Sequence, residues 1–176
     1  MAATCTFVFD SSPLVACCQF AVGRRAVEDI ALPGAHVQIP PAVYREVVIR
    51  GGARPDALKA AELITAGHIL LADAAAVSDA PEDLRHYQLG RGETEALTLT
   101  ASLGDSAVMV TDDFLALIVA NRLGLSCRLF LDFVVERAQR GELTATEAQQ
   151  IAQTVSPRDP AGFVPHSLAM LRRLQP

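Results

Sequence analysis

The sequence predicts an α/β fold: a central parallel sheet of four or five strands, with helices on both faces in an α/β/α arrangement of three layers. Two observations predict it. Short apolar runs of four or five residues alternate with longer stretches of helical periodicity, the pattern of parallel strands joined by helical crossovers. Acidic residues also follow two of those runs directly, Asp10 after residues 6–9 and Asp112–Asp113 after residues 107–111. Open α/β sheets take their ligands at the carboxyl ends of their strands.

Thr6-Phe7-Val8-Phe9 reads as a buried strand. Ser11 or Ser12 can cap the helix that follows, with Pro13 in its first turn, and apolar residues carry it to about Val22. A second helical piece spans residues 25–31 and stops at Pro33-Gly34. His36-Val37-Gln38-Ile39 is the next strand, and Pro40-Pro41 opens a helix through Val43, Val47 and Val48 that Gly51-Gly52 ends. Residues 55–66 are helical by periodicity, and residues 68–71 form a short strand. Residues 73–91 read as a loop with at most a short helix near 82–87. A helix runs from 92 to 103 and stops at Gly104. A strand at 107–111 precedes a buried helix at about 113–123, stopped by Gly124. Helices at about 130–140, 144–155 and 166–174 complete the chain.

The composition narrows the class. With 176 residues the chain can bury about 70% of its unfolded surface, so its core needs no metal or disulfide staple. Cys5, Cys17, Cys18 and Cys127 form no C-x-x-C pair and no zinc spacing with histidine. They read as reduced core residues, which places the protein in a cytoplasm. No secretory leader pattern opens the chain, and no apolar run reaches the roughly 20 residues that span a bilayer, so no membrane partner is expected. The net charge of −5 argues against a polyanion binder held by charge alone. It argues less against a metal-dependent one, because a carboxylate cluster is itself acidic. Of the basic residues only Lys59 is lysine.

Four acidic segments carry the chemistry. Asp10 can serve as a helix cap, as can its serine neighbours. Glu46 lies in the helix after the second strand, where a solvated role would also suffice. Glu93 and Glu95 begin a helix, and the helix dipole accounts for one of them. Two residues apart on a helix they point about 200° from each other, so one site cannot readily use both. Glu93 stands nearer the glycines and is preferred. One of Asp112 and Asp113 can cap the apolar helix at 114–120, which leaves the other to be explained. The coarse fold can bring all four segments to one edge. Clustered carboxylates repel, and a bound cation repays that cost. Oxygen ligands without nearby His or Cys suit Mg2+ or Mn2+.

These residues resemble the motifs of PIN-domain nucleases, the fold of VapC-type toxin ribonucleases, and in particular a bacterial branch with a Gly-x-Gly-Glu motif. The matching stretches are Phe9-Asp10-Ser11-Ser12-Pro13, Ile39-Pro40-Pro41 through Glu46-Val47, Gly90-Arg91-Gly92-Glu93-Thr94-Glu95, and Val110-Thr111-Asp112-Asp113. The resemblance covers roughly residues 5–140 and implies a PIN-like three-layer nuclease domain over 1–140. Residues 141–176 are then expected as a helical extension packed on the same domain. It implies that Asp10, Glu46, Glu93 and Asp113 are the catalytic, metal-holding acids, with Asp112 as a neighbour or alternative ligand. Ser12 and Thr111 would orient carboxylates or water. Arg45 and Arg91 are candidates for RNA phosphate contacts, although scattered surface arginines explain them too.

The implied activity is Mg2+- or Mn2+-dependent endoribonucleolytic hydrolysis of RNA, as the toxin of a toxin–antitoxin pair or outside one. An antitoxin protein and a second copy of the chain, as a homodimer, are the implied partners. The alternative is a catalytically inactive PIN-like protein that serves as a protein-binding module. Other α/β enzymes fit poorly. There is no Asp-x-Asp, because residue 12 is serine. No G-x4-G-K-[ST] loop and no G-x-S-x-G elbow exist, and Gly90-Arg91-Gly92 lacks the third glycine of a dinucleotide site.

Overall fold

The computed structural model describes residues 5–158 and 162–174. Among these, five strands form one parallel sheet: β1 (Thr6–Phe9), β4 (His36–Ile39), β5 (Ile69–Leu71), β6 (Ala107–Thr111) and β7 (Cys127–Leu129). Their spatial order is β5-β4-β1-β6-β7. The chain moves outward from β1 to β4 and β5, then returns to the other side of β1 for β6 and β7. The direction of winding therefore reverses between β1 and β6. At such a switch point the flanking connections part and leave a crevice at the carboxyl ends of the strands. Asp10 N donates to Val110 O at 3.0 Å, which fastens the end of β1 to β6 at that crevice.

Alternation along the strands sorts the core into two layers. Phe7 and Phe9 point into one apolar cluster, and Val8 points into the other. The first layer is built by α1 (Ser11–Gln19), α2 (Val27–Ala31), α4 (Pro55–Thr65) and α7 (Phe130–Gln139). Here Phe133 meets both Phe7 and Phe9 edge-on, at 4.9 and 5.4 Å between ring centroids. The second layer is built by α5 (Arg91–Leu103) and α6 (Phe114–Arg122), through Leu97, Leu99, Ala116 and Val119. Helices α8 (Ala145–Val155) and α9 (Val164–Arg172) add Ile151, Val155 and Leu171 to the first cluster. The capping box of Thr144 and Glu147 starts α8.

Several elements differ from the sequence reading. Helix α1 ends at Gln19, because a two-stranded antiparallel ribbon, β2 (Ala21–Val22) with β3 (Arg25–Ala26), turns at Gly23. Gly23 has φ +62°, which glycine alone adopts at little cost. The next helix accordingly begins at Val27 rather than Arg25. The loop at 73–91 holds two 3-10 turns, Ala74–Val77 and Glu82–His86. Strand β7, at a position the sequence reading does not assign, supplies the fifth strand of the expected four or five.

The helix after β4 changes form midway. It runs as α3 (Pro41–Tyr44) and then as a π-helical turn over Arg45–Ile49, closed by Arg50 N donating to Arg45 O at 2.9 Å. Single π turns inside α-helices occur often at functional sites, and this one carries Glu46. Gly51 ends it where no side chain fits: a methyl group there would lie 2.5 Å from the Ala57 Cβ. No helix among the described residues is long and apolar enough to cross a membrane.

Candidate active site

The carboxyl edge of the sheet gathers acids from four elements. Asp10 follows β1 and is 3% exposed. Its Oδ1 accepts from Ser11 N at 2.6 Å, the contact that caps α1, and its Oδ2 accepts from Thr111 Oγ1 at 2.9 Å. Capping and a site role therefore coexist in one side chain. Glu46, on the π turn, accepts a 2.6 Å hydrogen bond from Ser11 Oγ through Oε2. Glu93 lies in the first turn of α5, half-buried. Asp113 caps α6, its Oδ1 accepting from Ala116 N at 2.7 Å.

Electrostatics couple these groups. Burial pushes the Asp10 carboxyl up to about 7; the charges of Glu93 and Glu46 push the same way, against the hydrogen bonds from Ser11 N and Thr111. Glu93 is also raised, first by burial, then by the charge of Asp113 and, more weakly, that of Glu46. Each of the four acids thus acts on at least one of the others.

Gly92 explains how the cluster fits against α5. A methyl group on Gly92 would lie 2.8 Å from Glu46 Oε2 and 3.4 Å from Asp10 Oδ1. The bare backbone of α5 therefore lets two carboxylates flank one small volume. A methyl on Gly90 would likewise collide with the Glu93 carboxylate. The Gly-x-Gly-Glu stretch is thus a pair of clearances beside three acids, Gly92 beside Glu46 and Asp10 and Gly90 beside Glu93.

The donor chemistry suits a small hard cation, since every candidate ligand is a carboxylate oxygen. As the side chains stand, though, no group of three or more Asp, Glu, His or Cys among the described residues is arranged to hold an ion. The acids are tied off separately, Glu46 to Ser11 and Asp113 to the α6 amide. The cluster is one of interacting pairs.

The remaining expected residues have clear positions. Asp112 accepts from Ser12 Oγ at 3.3 Å and from Phe130 N at 3.1 Å, so it links α1 to the start of α7. Thr111, besides serving Asp10, accepts from Asp113 N at 3.0 Å and so bridges two of the acids. Arg45 and Arg91 both reach Glu95 Oε1 at 3.0 Å.

Three contributions were missed by sequence reasoning. In the sequence Ser11 reads only as a cap, yet its hydroxyl donates to Glu46. Glu95 is a clamp: its Oε2 accepts from Ala42 N at 2.6 Å while its Oε1 holds the two arginines. That fixes the start of α3, and with it the helix bearing Glu46, against α5. The clearance at Gly92 was visible only as part of a motif. Only the Arg91–Glu95 pair, four residues apart on one helix, has a local signal; the other contacts join residues far apart in the chain. Burial pushes the thiols of Cys18 and Cys127 up to about 12 and that of Cys17 well above its ordinary range, which disfavours the thiolate form.

A family model described as DUF3368, PIN domain, matches residues 6–155, from the first residue of β1 to the last of α8. No curated protein and no solved structure gives a significant match.

Proposed function

The chain belongs to the PIN-domain family, a family whose members are generally nucleases, and on that premise we propose that it is a metal-dependent endoribonuclease. The observation that carries this reading is the repulsion among Asp10, Glu46 and Glu93, with Asp10 and Glu46 flanking the clearance at Gly92 and Glu93 the one at Gly90. A fold keeps like charges together at a cost, and a cation binding between them offsets it. Asp10, Glu46, Glu93 and Asp113 would hold Mg2+ or Mn2+, with Asp112 nearby. Such an ion supplies charge neutralisation at the phosphate and acidifies a water at neutral pH.

The chain's own residues set the geometry. Thr111 and Ser11 N hold Asp10 from two sides, and Ser11 Oγ holds Glu46. A carboxyl near 7, as at Asp10, exchanges a proton readily at neutral pH when no ion is present. Arg45 and Arg91 stand half-exposed and exposed on the Glu95 clamp. Two guanidinium groups on one carboxylate leave one positive charge over for a phosphate, which favours them as RNA contacts. An antitoxin segment laid over this edge, and a second copy of the chain, are compatible partners.

The test is cleavage of a fluorogenic single-stranded RNA by the purified chain with Mg2+ or Mn2+. Cleavage should appear with either ion, vanish with chelator, and fall at least a hundredfold in Asp10→Asn. Equal cleavage by Asp10→Asn would refute the assignment. A second reading, a PIN fold kept for binding a protein without catalysis, draws on one observation, the lack of a ready-made three-ligand group. On that reading no RNA is cut with either ion.

A further inference from the structure

The C-terminal segment beyond the family match reaches the same edge of the sheet. Phe163 stacks on Phe114, the residue that directly follows Asp113, with centroids 6.0 Å apart and planes 11° from parallel. His166, a few residues on, acts electrostatically on Asp132 in the first turn of α7, and that turn begins at Phe130, whose amide holds Asp112. Of the seven phenylalanines, Phe114 is the exposed one, at 51%. About half of that residue's surface is open to solvent, directly beside Asp113.

We propose that the Phe114–Phe163 pair is a stacking platform for a nucleobase of the single-stranded substrate, beside the nuclease centre. This rests on the ribonuclease reading. One face of Phe114 already meets a parallel ring, and a planar base would extend that stack. Stacking on aromatic side chains is indifferent to base identity and draws little on positive charge. That suits a chain of net charge −5, which cannot hold RNA by basic residues alone. The platform also gives the segment after residue 155 a role in placing substrate.

The test uses Asp10→Asn, so that RNA stays intact, and a single-stranded oligonucleotide carrying 2-aminopurine at successive positions. The chain has no Trp to interfere with the signal. Fluorescence should be quenched at one position. Adding Phe163→Leu, which keeps an apolar contact, should abolish that quench and weaken binding about tenfold. Phe163→Tyr should restore both. An oligonucleotide abasic at that position should bind the two forms equally. If Phe163→Leu leaves quench and affinity unchanged, as expected were the rings a docking point for a protein, the proposal is overturned; absence of any oligonucleotide binding overturns it too. The two readings fail separately. Stacking by a chain whose Asp10 form never cuts RNA would sink the ribonuclease, and cleavage indifferent to Phe163 would sink the platform.

Discussion

Glu93 and Glu95 stand two residues apart on α5 and live in opposite surroundings. Glu93 faces other acids, and its carboxyl is raised by burial and by the charges of Asp113 and Glu46. Glu95 is buried between an amide and two guanidinium groups, each within 3.0 Å. The carboxylate whose charge is fully answered by the protein is building material. The carboxylate left among like charges is the one that a ligand must answer. One helix supplies both because residues two apart point to different sides of it.

The largest expected effect breaks the repelled side. Asp10→Asn should lower RNA cleavage at least a hundredfold while raising the stability of the ion-free protein. The sign follows from the direction of its displacement. Asp10 is held up to about 7 from 3.8, so the folded state binds its proton more tightly than the unfolded state does. Stability from this group is therefore full below about pH 4 and is lost as pH rises to 7. Asparagine still accepts from Ser11 N and can donate to Thr111 Oγ1. Thermal melts without divalent ions should show the variant gaining on the parent as pH rises through that window, by an amount on the order of a few kcal/mol at pH 8. A constant difference across pH would contradict the buried charge.

Next comes the answered side. Glu95→Ala should cost about 1–3 kcal/mol in urea melts, because it leaves the Ala42 amide without its acceptor and two arginines without a partner. Most of that should come from the amide, since Arg45 and Arg91 are 42% and 73% exposed at the side chain and solvent screens their pairs. Arg91→Ala should accordingly cost less than about 1 kcal/mol.

A finer probe sits between the two. Gly92→Ala places a methyl where Glu46 and Asp10 flank the clearance. The obstructing atom is the tip of the flexible Glu46 side chain, so the fold can yield. In the helix the exchange favours alanine by about 0.5–1 kcal/mol. Stability should stay level or rise slightly while metal-dependent cleavage falls. A variant that loses stability in step with activity would show that the clearance serves packing instead.

The local chemistry of this contrast was legible in the sequence, and the long-range part was not. Strands β1 and β6 show as short apolar runs and β4 as a polar–apolar alternation, and the acids that follow β1 and β6 could be placed at a sheet edge from order alone. The opposed directions of Glu93 and Glu95 follow from helical geometry. Strand β7 escaped notice because Cys127–Leu129 is three residues with an arginine in the middle, too short for a period. The π turn under Glu46 depends on how Arg45–Ile49 meets its neighbours, and propensity does not report it. Glu95's partner amide lies 53 residues away, and the Ser11–Glu46 bond spans 35. Such pairings are fixed by topology, after which the side-chain chemistry becomes readable.

Calorimetric titration of the chain with Mn2+ tests the contrast most directly, alongside Glu93→Gln and Glu95→Gln. The parent and Glu95→Gln should take up the ion with similar affinity, and Glu93→Gln should bind it at least tenfold more weakly. Equal loss in both variants, or no uptake by the parent, would contradict a cation shared among the repelled acids.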